Sequence, residues 1–445
     1  MYELESRELP SRILLAESLL KKIDYIVIFQ HSQLAKICLF SAPGVLFIKS
    51  SPYQFDLLLK IAKRRGFILF SAQEEGLHFS GDVESFGTLY PLTFSRNTAS
   101  LIDIYLAWHQ RDLETAVRVG VPAKRIKIVG NVRLKIIDRL TVPKIISAKN
   151  KKILLITNFN YSDQLNSFKK EKRIKRQDNY GKIFQQAIPF YDQNLKVFQE
   201  TEKLFHEFIK KSSRFNFEII LRRYFYDTES FNDNKYPNIF LDGNYMIGNS
   251  INDCDLVIHY GSTAAIEAIC GNRVPILLTS DLHFHDSRLL ALGPSFTQVD
   301  NLLNWIDSLS EKALVSELSK SHNSLYENYG IDVNLNSVAL ITNEIQKTFE
   351  NYEHNKKMSG AIRLTFILYI KVIFNSLRQF VGKQIKFLAL LNSKKEERVP
   401  KANKLTVSLI ATLATELRIF EEISSHGIKI SRNKKSFIVK RHSGP

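Results

Sequence analysis

The residues best suited to chemistry in this sequence lie between Asp255 and Ala268. An apolar strand, Leu256 to Ile258, leads through His259 and Tyr260 into the small-residue turn Gly261-Ser262-Thr263, and the turn opens directly into a helix carrying Glu267. A helix start leaves backbone N–H groups unpaired, and two hydroxyls stand beside them here. The combination favours an anion, most often a phosphate. The same residues also suit an ordinary strand–turn–helix in which Ser262 and Thr263 only cap the helix.

The elements that must hold this turn alternate along the chain. A helix from Ser11 to Leu20 precedes apolar strands at Tyr25–Phe29, Gly44–Ile48 and Phe67–Phe70, with an amphipathic helix, Tyr53 to Arg65, before the third. Ile104–Trp108 and Ile126–Val129 continue the series around a helix at Asp112–Val119. The pattern breaks near Thr141–Lys152 and resumes at Ile153–Ile156. It runs on through a helix from about Phe190 to Lys211, the strand Phe217–Leu221, Asn238–Leu241, the turn itself and Pro275–Leu278. Strands alternating with helices at this spacing predict parallel, doubly wound α/β sheets. The expected organisation is a Rossmann-like domain over 1–146, a second over 151–350, and a basic helical extension over 360–445. Open parallel sheets bind ligands beyond the carboxyl ends of their strands, so the site belongs in the cleft between the two.

The chain has 445 residues, 44% hydrophobic and 24% charged, as in soluble globular proteins. Its net charge of +17 is concentrated at one end: residues 360–445 hold 17 Lys and Arg against 5 Asp and Glu. The remainder is nearly balanced and carries no nucleic-acid recognition motif, which disfavours nucleic acid as a partner. In the stretch 360–391, Arg363, Lys371, Arg378, Lys383 and Lys386 interrupt an apolar sequence. No uncharged run there approaches the roughly 20 residues of a spanning helix, whereas a helix lying on an anionic membrane surface, or a solvated basic appendage, would fit. The basic run Lys169 to Arg176 reads as a solvated loop. Cys38, Cys254 and Cys270 are far apart and form no metal or disulfide spacing, and Met1 to Glu5 opens no signal peptide; both point to the cytoplasm.

Five segments in order carry a family resemblance. They are Ser6-Arg7-Glu8-Leu9 with Leu14-Leu15-Ala16, Glu74-Glu75-Gly76-Leu77, Gly130-Asn131-Val132-Arg133, Ile156-Thr157-Asn158-Phe159 and Ser262 to Ala268. Together they resemble the bacterial surface carbohydrate biosynthesis proteins, which look like glycosyltransferases of the GT-B fold, two Rossmann-like domains facing a cleft. The departures are specific. Gln73 replaces an acid, Val132 a proline, and Arg222-Arg223-Tyr224-Phe225 stands where the family carries Arg-Pro-His-Pro. The family's first strand, ahead of the Arg-Glu-Leu motif, has no counterpart, so the start is truncated or that place in the sheet is filled otherwise.

The resemblance implies a glycosyltransferase that uses a nucleotide-sugar donor for cell-surface polysaccharide, on a glycan or lipid-linked acceptor, peripheral on the inner membrane face. Such transfer needs a base, charge neutralisation at the departing phosphate and a grip on the nucleoside. Glu75, beside Gly76 and next to a second carboxylate in Glu74, is the candidate base. Gly261, Ser262 and Thr263 would hold the phosphate, with Arg222 or Arg223 as cation, and Glu267 would accept both hydroxyls of a ribose. Asn158, Asn160 and His259 are further candidate contacts, although a histidine at a strand end serves equally as a core residue. His283-Phe284-His285-Asp286 has neither helical spacing nor a third ligand, and no DxD motif calls for a divalent ion. Metal-independent transfer without a cofactor is therefore expected. Two other readings share the architecture: a CDP-polyol phosphotransferase, and a degenerate non-catalytic subunit of a polysaccharide assembly complex. A nucleotide-sugar epimerase would have no use for the tail.

Overall fold

The computed structural model describes residues 5–20, 25–29, 33–41, 43–49, 55–72, 96–141, 151–157, 179–222, 236–244, 246–283, 287–356, 428–433 and 436–441. The first unit runs α1 (Glu5–Leu19), β1 (Tyr25–Phe29), α2 (Leu34–Phe40), β2 (Val45–Ile48), α3 (Asp56–Arg64), β3 (Ile68–Ala72), β4 (Ile104–Ala107), α4 (Gln110–Val119), β5 (Ile126–Ile128) and α5 (Val132–Leu140). Strands β2 to β5 form a four-stranded sheet in sequence order, parallel throughout. Successive residues serve opposite faces. Leu69 and Tyr105 join the core under α2 to α4, while Phe70 and Leu106 join the core containing α1 and α5. A sheet buried on both faces explains the unbroken apolar runs in its strands.

The second unit has β6 (Lys151–Ile156), α6 (Asn179–Ser212), β7 (Phe217–Arg222), β8 (Ile239–Leu241), α7 (Ile247–Asp253), β9 (Leu256–His259), α8 (Ala264–Cys270), β10 (Val274–Leu278) and β11 (Ser295–Phe296). Helices α9 (Val299–Ser308), α10 (Glu311–Tyr329) and α11 (Ser337–Lys356) follow. Its six parallel strands lie in the order β11-β10-β9-β6-β7-β8. The first three strands of the unit step outward from β6 in one direction and the next three in the other. This is the doubly wound order, and its crevice opens between β6 and β9. The α/β expectation of two parallel-sheet units is met.

The two units share a seam. Helix α5 packs against α7 and α8, and Trp108, Leu134 and Ile137 of the first unit enter one core with Ile251, Ala265 and Ile269 of the second. Helix α11 then returns to the first unit, placing Val338, Ile341 and Ile345 in the core of Leu9 and Ile13.

Two expectations are corrected. Strand β1 does not enter the parallel sheet; it pairs antiparallel with β13 (Ser436–Arg441), which forms a hairpin with β12 (Ile428–Asn433), in register from Tyr25 opposite Lys440 to Phe29 opposite Ser436. The end of the basic tail is thus β-structure rather than helix. Its β-branched and aromatic residues suit a strand, and the backbone groups of β1 need a partner. The segment 360–391 and the remaining tail up to 427 lie outside the described residues, as does the run Lys169 to Arg176. No described helix is long and apolar enough to cross a membrane. The three cysteines are buried free thiols, and burial pushes the Cys38 thiol up to about 12.

Gly130, between β5 and α5, has φ +73°, and a Cβ there would collide with Ser337 Oγ at the start of α11. Gly130→Ala should therefore destabilise the protein by at least about 1–2 kcal/mol, the strain of a left-handed L-residue, before the collision is added. A urea titration against wild type measures it.

Candidate functional site

The site is built on strand ends. β9 finishes at His259, and the chain turns through Gly261 (φ 52°), a left-handed conformation natural to glycine. Ser262 Oγ then accepts a hydrogen bond from Ala264 N at 3.1 Å, and Thr263 is the N-cap of α8 without a side-chain cap bond. Gly261, Ser262 and Thr263 are all half-buried and reachable from solvent. Helix α8 has only seven residues, so its dipole is small. Position carries more weight: the turn ends the strand beside β6, at the point where strand order reverses. Thr157, at the end of β6, borders the same crevice. His259 and Tyr260 are buried behind the turn, with the Tyr260 ring against Phe198 of α6, their centroids 4.6 Å apart.

Glu267 does not stand open to the crevice. Its Oε1 lies 2.9 Å from Nη2 of Arg133, and both side chains are buried. Arg133 belongs to the Gly130–Arg133 motif, where Asn131 caps α5 by accepting from Arg133 N at 2.9 Å. The ion pair therefore joins α5 of the first unit to α8 of the second. Arg222 is similarly engaged, donating to Asp242 Oδ2 at 2.5 Å, to the Asn244 carbonyl at 3.1 Å and to Ser250 Oγ at 3.0 Å. It stands on β7, two strands from the Ser262 turn, about 10 Å away across the sheet.

Facing the turn's unit is the carboxyl edge of the first sheet. Glu8 and Lys49 form a buried ion pair at 2.7 Å, tying the Arg-Glu-Leu motif to the end of β2. Beyond β4, His109 Nδ1 accepts from Asp112 N at 3.3 Å and caps α4. Asp112 accepts from Tyr105 Oη at 2.6 Å and from Trp108 N at 3.1 Å. Burial holds His109 down at about 3 and pushes Asp112 up to about 7 despite its two donors. Trp108 Nε1, His109 Nε2 and Asn131 Nδ2 are buried without a hydrogen-bond partner. These three donors are enclosed within the protein, Trp108 in the core shared by the two units.

Glu74, Glu75, Asn158, Asn160, Arg223, His285 and Asp286 lie outside the described residues. His283 is exposed, with its N–H on Asp281 Oδ1 at 2.9 Å. Among the described residues no group of three His, Cys, Asp or Glu side chains is placed to hold a metal. Sequence reasoning passed over Thr279-Ser280-Asp281, which follows β10 as the turn follows β9. Thr279 Oγ1 reaches the Asp281 carbonyl at 3.2 Å, and Asp281 adds to the burial that raises the Tyr260 phenol. The polar triplet at a strand end was the available signal.

Removing either charge of the Arg133–Glu267 pair strands the other in the seam. Glu267→Gln should cost roughly 3–5 kcal/mol, and the double variant Arg133→Met, Glu267→Met should recover most of that loss. Denaturant titration of the singles and the double decides it. A second expectation concerns pH. His109 binds a proton more readily unfolded than folded, so it makes stability rise between about pH 3 and 6.5. Asp112 binds one more readily folded, so it makes stability fall between about pH 4 and 7. The two oppose each other over the shared range. His109→Asn keeps a cap and removes the first effect, so melting temperatures of the variant should decline from pH 4 to 6.5 relative to wild type.

No family model matches the chain, and no curated protein matches it in sequence. Solved structures with a similar course include a putative UDP-N-acetylglucosamine 2-epimerase from Listeria monocytogenes, at 12% identity and TM-score 0.45, over 79% of this chain and 82% of that one. MnaA of S. aureus, solved with UDP, matches at 13% identity and TM-score 0.44, over 76% and 82% of the two chains. A variant of the wall teichoic acid polymerase TagF matches at 13% identity and TM-score 0.44, over 70% and 74%. With every one of these TM-scores below 0.5, the reading of the site rests on its own geometry.

Proposed function

We propose that this chain is a metal-independent glycosyltransferase that takes a sugar from a nucleotide donor and adds it to a cell-surface polysaccharide precursor. One observation carries the reading: the hydroxylated Gly261-Ser262-Thr263 turn closes β9 at the point where the six-stranded sheet reverses its order. That is where open α/β sheets take nucleotide ligands. The turn's hydroxyls and amides would receive the donor phosphate, with Thr157 and Asn158 across the crevice. Glu267, buried and paired with Arg133, would hold α8 and its turn in place rather than grip the ribose.

In the reaction, Glu75 takes the proton of an acceptor hydroxyl, with Glu74 beside it. The oxygen bonds to the anomeric carbon, and the nucleotide phosphate leaves with the electron pair of the broken C–O bond. Charge gathering on that phosphate is stabilised by donors fixed in advance at the turn. A glycan or lipid-linked acceptor would approach over the carboxyl edge of the first sheet, opposite the turn. The basic segment 360–391 would hold the enzyme to the anionic inner face of the membrane.

Thermal shift with CMP, UDP, GDP and ADP tests the donor site. A nucleotide at 100 times its Kd adds about 2.7 kcal/mol of stability, and Ser262→Ala should remove most of the shift for the nucleotide that binds. A well-folded protein that responds to none of the four overturns the transferase reading and favours a non-catalytic subunit.

A further inference from the structure

A second cavity, of about 540 Å³, opens at the far end of α8 from the Ser262 turn. Asp138 of α5, Cys270 at the end of α8, Asn272 after it, His322, Asn323 and Tyr326 of α10, and the loop Ile331–Asn334 line it. Its size falls within the roughly 300–1,000 Å³ of small-molecule sites. Helix α8 rises about 10 Å over its seven residues, so the cavity is distinct from the donor crevice.

The lining has a particular chemistry. Three carboxamides, Asn272, Asn323 and Asn334, each offer a donor and an acceptor, and two carboxylates, Asp138 and Asp332, offer acceptors alone. Some of this capacity is already used. His322 Nε2 lies 3.3 Å from Asn272 Oδ1, Asp332 Oδ1 accepts from Asn334 N at 2.8 Å, and Asp138 Oδ2 accepts from Lys135 Nζ at 2.5 Å. Asn272 holds its place with φ 57°, a left-handed backbone, at the mouth of the turn into β10. Tyr326, 65% exposed, is one helical turn from His322 and presents an apolar ring on the same face. Among the described lining residues there is no Lys or Arg, and the nearby Lys135 ammonium is held by Asp138, so the cavity offers an anion little and presents it with Asp332. Hydroxyl groups, which donate and accept together, match paired amides and carboxylates. A pyranose ring also has a C–H face that lies on an aromatic ring.

We infer that this cavity is a binding site for a neutral pyranoside, stacked on Tyr326 and hydrogen-bonded by Asn272, Asn323 and Asp332, separate from the donor crevice. It does not require donor turnover: a chain that bound no nucleotide would still hold a glycoside here. The test is saturation-transfer difference NMR on the full chain. The probes are methyl β-D-glucopyranoside, methyl β-D-galactopyranoside and methyl N-acetyl-β-D-glucosaminide, with inorganic phosphate as competitor. At least one glycoside should show transfer to its ring protons, unaffected by phosphate. Tyr326→Ala should weaken its binding about fivefold, the loss of one aromatic contact of about 1 kcal/mol. Asn323→Ala, at an exposed position that leaves the fold intact, should weaken it as well, while Ser262→Ala should leave it unchanged. Absence of transfer from all three probes overturns the inference. So does transfer that survives both cavity substitutions or that phosphate abolishes.

Discussion

The buried ion pair between Arg133 and Glu267 is the constraint on which the relation of the two units depends. Two opposite charges withdrawn from water gain little over a pair of apolar side chains, but either alone in that seam would be strongly disfavoured. The pair therefore acts less as a source of stability than as a condition on how α5 meets α8. The seam that holds it is built largely of apolar side chains: Leu134 and Ile137 from one side, Ala265, Ile266 and Ile269 from the other. Apolar packing alone would tolerate sliding along the seam, whereas a charged contact at 2.9 Å does not. Because α8 begins at the Ser262–Thr263 turn, fixing α8 against α5 also fixes the turn against the carboxyl edge of the first sheet.

That edge is prepared in a matching way. Three of its four strand ends carry a polar group held by a neighbour: Lys49 by Glu8, His109 by the Asp112 backbone, Asn131 by the first turn of α5. The donors left over at Trp108, His109 and Asn131 are buried, and a buried donor without an acceptor costs free energy in the unliganded protein. His109 stays neutral throughout the physiological range, so the edge changes little in charge with pH on its account.

Much of the fold was legible because its strands are buried on both faces and so read as short continuous apolar runs, Leu256–Ile258 and Ile153–Ile156 above all. The strand–turn–helix at Gly261–Thr263 was legible for the same reason, a sharp change from apolar to small polar residues. Partnerships were not. Glu267 looked like a ligand because nothing near it in sequence satisfies it, and its partner stands 134 positions earlier, brought close only by the docking of two helices. Strand β1 was read correctly as a strand and misplaced, since apolar patterning specifies a buried ribbon and not its neighbour. The hairpin that pairs with it sits at the far end of a tail whose basic residues suggested helices.

The end of β7 carries Arg222, at the place where the family resembled in sequence has Arg-Pro-His-Pro. Arg222 keeps the motif's first position at the end of β7, and its guanidinium is tied to Asp242 beyond β8 and to Ser250 of α7. With Asp242 buried against it, the arginine is neutralised where it stands and ties the loop after β8 to α7. A departing phosphate two strands away would feel a dipole from that pair rather than a full charge. On the proposed reading its negative charge would be met by neutral donors, the amides and hydroxyls of Gly261, Ser262 and Thr263. Fixed neutral donors need no rearrangement as charge develops, so a site that gives up a cation can keep much of its stabilising power if its turn is rigid. The turn is held by α8, which is buried along its whole length and joined to α5 through Arg133.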